Sequence, residues 1–231
     1  MPSTTKILLF TSSAFVTLIS VGMMGYGMSK QWAKTTLDCA RGESSFYNGT
    51  AIITLTLFTG IMNRSFCPVY GRIDDFQVIP KLVETGVTPL VLHALVLCLL
   101  AVCLLCSACS ILISLYNSVS NPYETYMGPV GIYACSSLSA CLSVVVLIIF
   151  VVNINVTNMA EELVRDFADA VAVDLRNKSS EMQLGYYLII PYTVLSLVAI
   201  ALIYMYDHAA YTHRREQQRP TEDAPKEIMM Y

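Results

Sequence analysis

The sequence predicts an all-α membrane protein, a four-transmembrane-helix bundle with a small β-containing first extracellular loop. Two observations lead there. Apolar residues make up 55% of the 231 positions and charged residues only 13%, about half the charged share usual for a soluble globular chain. The apolar residues are also gathered into four runs, 7–28, 89–115, 128–152 and 184–206, none of which contains Asp, Glu, Lys or Arg. Each run has the roughly 20 residues needed to cross about 30 Å of hydrocarbon. Lipid gives backbone groups no partners, so such runs must be helices. The net charge of −3 gives no sign of a nucleic-acid partner.

The turn at 116–127 organises the rest. Pro122 disfavours helix at Asn121, and Gly128-Pro129 makes a second break. So short a turn returns the chain to the side it left, which makes 89–115 and 128–152 a membrane hairpin. Two longer connections, 29–88 and 153–183, then lie on the opposite side. The N-x-S/T acceptors Asn48, Asn63, Asn155 and Asn177 all fall in these two loops, and none falls in the turn, the N-terminus or the tail. That distribution fits two extracellular, glycosylated loops, although Asn155 stands too close to the membrane to suit modification. The compact His213-Arg214-Arg215 group beside the fourth run favours a cytosolic tail. The expected order is cytosolic N-terminus 1–6, span 7–28, extracellular loop 29–88, span 89–115, cytosolic turn 116–127, span 128–152, extracellular loop 153–183, span 184–206 and cytosolic tail 207–231.

The first run has a competing reading as a cleaved signal peptide, with Gly25 and Gly27 near its end. A retained span is favoured, because roughly 22 apolar residues exceed the 7–15 of a signal core. Its Gly22, Gly25 and Gly27 suit close packing within the four-helix unit, with a contact to a second copy as the alternative. Trp32, the only tryptophan, reads as an anchor at the membrane–water interface.

In the first loop, residues 50–58 (TAIITLTLF) are β-branched and partly alternating, which is a strand signal. Cys39 and Cys67 flank that strand on the oxidising side. A disulfide between them would close a loop of 28 positions, worth on the order of 3 kcal/mol by chain entropy. Residues 76–83, with Pro80 inside, lead back to the membrane.

Cys98, Cys103, Cys106 and Cys109 of the second run have Leu, Ala, Val and Ser for neighbours. Such surroundings raise a thiol pKa, so they read as small packing residues rather than metal ligands. Acylation of Cys109 or Cys135 is a weaker alternative. Val156, Met159, Leu163, Phe167, Ala170 and Val171 recur at helical spacing among Glu161, Glu162, Arg165, Asp166 and Asp169, predicting an amphipathic helix. It is expected to prolong the third span and lay its apolar face on the first loop. Pro191 should kink the fourth span, and Tyr186, Tyr187, Tyr204 and Tyr206 suit an aromatic belt. His93 reads as a helix-end residue. The tail is polar and reads as unstructured. Its end, Met229-Met230-Tyr231, carries alternate apolar side chains and a carboxylate, which suit strand addition in a PDZ-type groove.

At the central turn YNSVSNPYETYMGPVGIY, in the order of spans, in the MP start, in Trp32 after the first span and in the closing Tyr231, the chain resembles the clarins. These are four-span membrane proteins similar in layout to the claudins. The tail RREQQRPTEDAPKE and the NSVSNPY form of the turn are closest to one paralogous branch. The resemblance implies a plasma-membrane organiser linked to adhesion, actin-rich protrusions or synaptic complexes, with a small sheet in the first outer loop. An auxiliary subunit of a channel or receptor is the alternative. The spans carry no acidic or basic pair of the kind that marks an ion path. No H-E-x-x-H or G-x-S-x-G occurs, so neither a catalytic group nor a cofactor is expected. The expected partners are membrane lipids and membrane or scaffold proteins, with self-association left open.

Overall fold

The computed structural model describes residues 3–41, 49–67, 71–119, 128–168 and 173–218. Helix α1 (Ser3–Met28) is followed by β1 (Ala33–Arg41), β2 (Gly49–Leu55), β3 (Thr59–Ser65), β4 (Arg72–Gln77) and the short helix α2 (Val78–Thr85). The hairpin α3 (Val87–Val119) and α4 (Gly128–Asn155) comes next. Then follow α5 (Met159–Phe167), β5 (Val173–Met182), α6 (Leu184–Tyr187) and α7 (Ile189–Gln218). Among the described residues, four stretches are long and apolar enough to cross a membrane: Thr4–Met28, Val87–Val119, Gly128–Asn155 and Leu184–Ala209.

These helices close a ring in which α1 packs on α3 and α7, and α4 packs on the same two. The buried positions step by three and four: Cys103, Ser107, Ser110, Ser114 and Asn117 on α3, and Ser136, Ser139, Ser143, Val146 and Phe150 on α4. That heptad spacing keeps one seam facing its neighbour. Small side chains along it let the backbones approach where no hydrophobic effect drives association. Hydroxyls bridge the helices, with Ser110 Oγ 3.1 Å from Ser136 Oγ, Ser143 Oγ 2.7 Å from Thr193 Oγ1, and Ser107 Oγ 2.8 Å from the Tyr192 hydroxyl.

Toward the sheet the seam changes to Val96, Leu100, Val146, Phe150 and Ile154, which join Leu37, Ile53, Leu55 and Met62 of the strands in a single core. The sheet is antiparallel, in the order β4-β3-β2-β1-β5. The predicted strand at 50–58 appears as β2, with Ala51, Ile53 and Leu55 facing the core. The other four strands are too polar to carry the signal: β4 reads RIDDFQ and β5 reads VDLRNKSSEM. The second loop supplies β5, so both loops build one sheet. A bulge opposite Leu37 sets Asn177 at φ 52°, a conformation that Asn tolerates better than most residues.

Several expectations are corrected. Trp32 is fully buried rather than an interface anchor. Its indole N–H donates to the Gly27 carbonyl (2.9 Å), and its ring meets Phe150 edge-on at 5.0 Å. Gly185 makes room for it, since a Cβ there would stand 2.5 Å from Trp32 Cδ1. Of the α1 glycines only Gly27 packs closely, and Gly22 and Gly25 have open space where a Cβ would go. They lie off the buried face that carries Ser20 and Met24.

Helix α5 does not prolong α4: the helix is interrupted at 156–158. Its apolar face does rest on the first loop, with Phe167 5.6 Å from Phe76. Near Pro191 the helix breaks at Leu188, between α6 and α7. Of the four tyrosines, Tyr187 and Tyr204 are exposed, whereas Tyr186 packs on Phe150 and Tyr206 on Phe10. Helix continues through 116–119 and through 207–218, where a turn and an unstructured tail are expected.

Candidate interaction surface

Cys39 and Cys67 form a disulfide with their Cα atoms 5.6 Å apart. It joins the end of β1 to the residues just after β3, so the β2–β3 hairpin is enclosed by a covalent link. Three cations fasten α5 beneath this hairpin. Arg64, buried on the inner face of β3, donates to the carbonyl of Phe167 (2.5 Å) and pairs with Asp74 (2.5 Å). A guanidinium at a helix C-terminus satisfies a carbonyl left over by the helix and meets the negative end of its dipole. Lys81 of α2 pairs with Asp166 and, at 3.1 Å, with Glu84. The Asp166 carboxylate holds the ammonium above the ordinary lysine range. Lys178 of β5 pairs with Glu161 (3.1 Å) and donates to the Thr157 carbonyl (2.9 Å).

His93 lies near the start of α3 and is buried, with Nε2 2.8 Å from the Leu57 carbonyl of the first loop. Trp32 and His93 thus join the sheet to the bundle on two different spans. None of these ties was legible in sequence. The only signal was an α5 whose carboxylates alternate with apolar residues, and spacing alone does not say which cation meets which.

The opposite face of the sheet is open. One row across it reads Ser179–Thr36–Ile52–Asn63–Ile73 and the next Glu181–Lys34–Thr54–Ile61–Asp75. Ile61, Ile73 and the hairpin-tip Phe58 are exposed. Asn63 is exposed in the middle of the face. Asn177 is exposed on the edge strand, where its amide donates to Asp38 (3.0 Å). Asn155 is exposed at the end of α4, and the hydroxyl of its acceptor partner Thr157 is engaged by Asn153. Asn48 and Met229-Met230-Tyr231 lie outside the described residues. Of the span cysteines, Cys103 is buried, while Cys98, Cys109 and Cys141 are exposed. Among the described residues no group of three His, Cys, Asp or Glu could hold a metal ion.

The sequence has relatives among known proteins. The family model described as "Clarin-2: Clarin-2-like" matches residues 4–191. The chain belongs to the clarin family. Mouse Clarin-3 is 30% identical over 235 residues, covering 100% of both chains, and human Clarin-3 is 30% identical over 233 residues with the same coverage. Mouse Clarin-1 is 24% identical over 172 residues, 71% of this chain and 72% of its own. As a clarin the chain is a multi-pass membrane protein with four spans. The matched segment of this chain includes the five strands, α5 and the disulfide cysteines.

Proposed function

We propose that this clarin is a non-enzymatic organiser of the plasma membrane, with its sheet outside the cell and both termini in the cytosol. The observation that carries the reading is the mounting of the sheet. A disulfide, three charged ties to α5, His93 and Trp32 hold one sheet face on the spans and leave the other free. A rigid, partner-ready surface avoids the ordering cost of a flexible loop on binding. Sugars on Asn63 and Asn177 would shield the middle and one edge of the open face, leaving Phe58 and the neighbouring Ile61 for contact. The tail would recruit PDZ-type scaffolds through Tyr231.

Proximity labelling in native cells, from the first loop and from the tail, tests this. Ile61→Lys with Phe58→Ser should remove a set of outer-side neighbours while leaving surface delivery unchanged. Tyr231→Ala should remove cytosolic scaffolds. Unaided ion flux through the purified chain in liposomes would replace this reading with a channel. An antibody reaching Tyr231 on intact cells would reverse the orientation.

A further inference from the structure

The four spans share one apolar layer near the ends that lie away from the sheet, formed by Phe10, Ile113, Ile132, Ile203 and Tyr206. Lys6 and Asp207 stand just beyond it in the chain. At 1.5 Å per residue, Gly27 stands about 26 Å from that layer along the first span, His93 about 30 Å along the second, Phe150 about 27 Å along the third and Leu188 about 27 Å along the fourth. Those rises match the roughly 30 Å of a hydrocarbon core, so these four residues mark its sheet-side edge. The first loop touches three of them. Trp32 donates to the Gly27 carbonyl and packs on Phe150, and the Leu57 carbonyl, at the tip of the β2–β3 hairpin, lies 2.8 Å from His93 Nε2.

The hairpin tip therefore reaches the edge of the hydrocarbon. Val87, where α3 begins, is about 9 Å farther out than His93, so the tip lies beside the second turn of α3 rather than above it. Leu57 is buried, but its neighbour Phe58 is 54% exposed. Val91 and Leu95, which bracket His93 on the second span, are exposed as well, and Phe58 shares their depth. Helix α2 starts at the same level, where the Val78 N–H donates to the Phe58 carbonyl (2.9 Å). It climbs back beside α3 with Val78 and Leu82 buried and with Pro80 and Val83, one turn apart, exposed. Its charged residues, Lys81 and Glu84, pair with each other, and Lys81 also with Asp166 of α5. An apolar outer face at this depth suits the boundary between headgroups and acyl chains.

The backbone of the tip meets the condition that lipid sets, which is that polar groups be satisfied from within. The amides of Phe58 and Thr59 donate to Thr56 Oγ1 (3.3 and 2.9 Å), and the Thr56 amide donates to the Thr59 carbonyl (2.8 Å). The carbonyls of Leu57 and Phe58 accept from His93 and Val78. We infer that the hairpin tip is seated in the sheet-side leaflet, with lipid covering Phe58, Pro80 and Val83. Moving an exposed phenylalanine from water among acyl carbons is favourable, so the leaflet is a further fastening of the sheet. The inference deepens the organiser reading on which the choice of Phe58 as a contact rests. Ile61 is left as the contact on the water side, and a partner that reaches Phe58 as well lies in the same membrane.

Fluorine NMR of the full chain in phosphatidylcholine nanodiscs, one chain per disc, tests this. Trifluoromethyl-phenylalanine is placed singly at Phe58 and at Phe66, which is 64% exposed just past the other end of β3 and about 24 Å away by strand length. Dissolved oxygen concentrates among acyl chains, whereas a gadolinium chelate stays in water. The ratio of oxygen-induced to chelate-induced relaxation should be roughly tenfold higher at Phe58 than at Phe66, because the acyl region holds no water. An intact Cys39–Cys67 disulfide in both labelled chains confirms that the fold is kept. Equal ratios at the two positions would put the tip in water, and shielding of Phe58 from both agents would mean that protein covers it; either result overturns the inference. The two readings fail separately. Phe58 in lipid with no outer-side neighbours lost on Ile61→Lys and Phe58→Ser would count against the organiser alone, and Phe58 in water with those neighbours lost would count against lipid seating alone.

Discussion

The sheet and the middle of the bundle are built on opposite plans. In the sheet, Ala51, Ile53 and Leu55 point inward and Thr50, Ile52 and Thr54 outward. In the bundle, Ser107, Ser110, Ser114, Ser136, Ser139 and Ser143 are buried while Phe15, Leu18, Leu105, Leu112 and Ile148 face out. The solvent explains the inversion. Against water, burying apolar surface drives assembly. Against lipid it contributes little, so helices associate by close approach and by hydrogen bonds between hydroxyls. The two plans meet at Trp32, Phe150, Leu100 and Val146, where large side chains form a core shared by both regions.

That contrast sets an order of expected effects. Trp32→Ala should cost most, about 3–5 kcal/mol for a fully buried large aromatic. Chemical unfolding in micelles, followed by a bundle probe and by a sheet probe, should show both moving together. A shift in the sheet alone would mean that the core is not shared. Replacing Cys39 and Cys67 by Ser should cost on the order of 3 kcal/mol, and confine the loss to the sheet as read by proteolysis of the first loop. In the serine seam, Ser136→Leu should cost about 1–3 kcal/mol by overpacking, the reverse of what an added leucine does on a lipid-facing position such as Ala134. Tyr192→Phe, which removes the Ser107 bond, should cost only about 0.6 kcal/mol.

A comparably small effect belongs to Lys81→Met, below about 1 kcal/mol for a partly solvated pair. Its pH dependence has a definite sign. Because Asp166 raises the folded-state pKa of Lys81, the stabilisation is fully present below the ordinary lysine range and is lost as pH rises through the raised value. The difference between Lys81→Met and the parent should therefore stay flat from about pH 6 to 9 and close only in stronger alkali.

The residues behind the surface features differ in how far they could be read. β2 was legible because it alternates apolar and polar, and α5 because its apolar residues step by three and four. β4 and β5 were not, since edge strands with polar side chains on both faces carry no period. The disulfide followed from two cysteines flanking one strand in an oxidising loop. Trp32 misled because an aromatic just past a span is as consistent with a lipid interface as with a buried joint. Gly22 and Gly25 misled because small residues permit close packing without specifying which helix face receives it.

By itself the sequence determined the number of spans, their hairpin order and the clarin membership, since these depend on long apolar runs and motifs that need no knowledge of neighbours. Tertiary structure decided the rest. It brought β5 beside β1, aimed Arg64, Lys81 and Lys178 at α5, and buried Trp32. Each of those depends on side chains far apart in the chain, and a pairing across space leaves no period in a one-dimensional string.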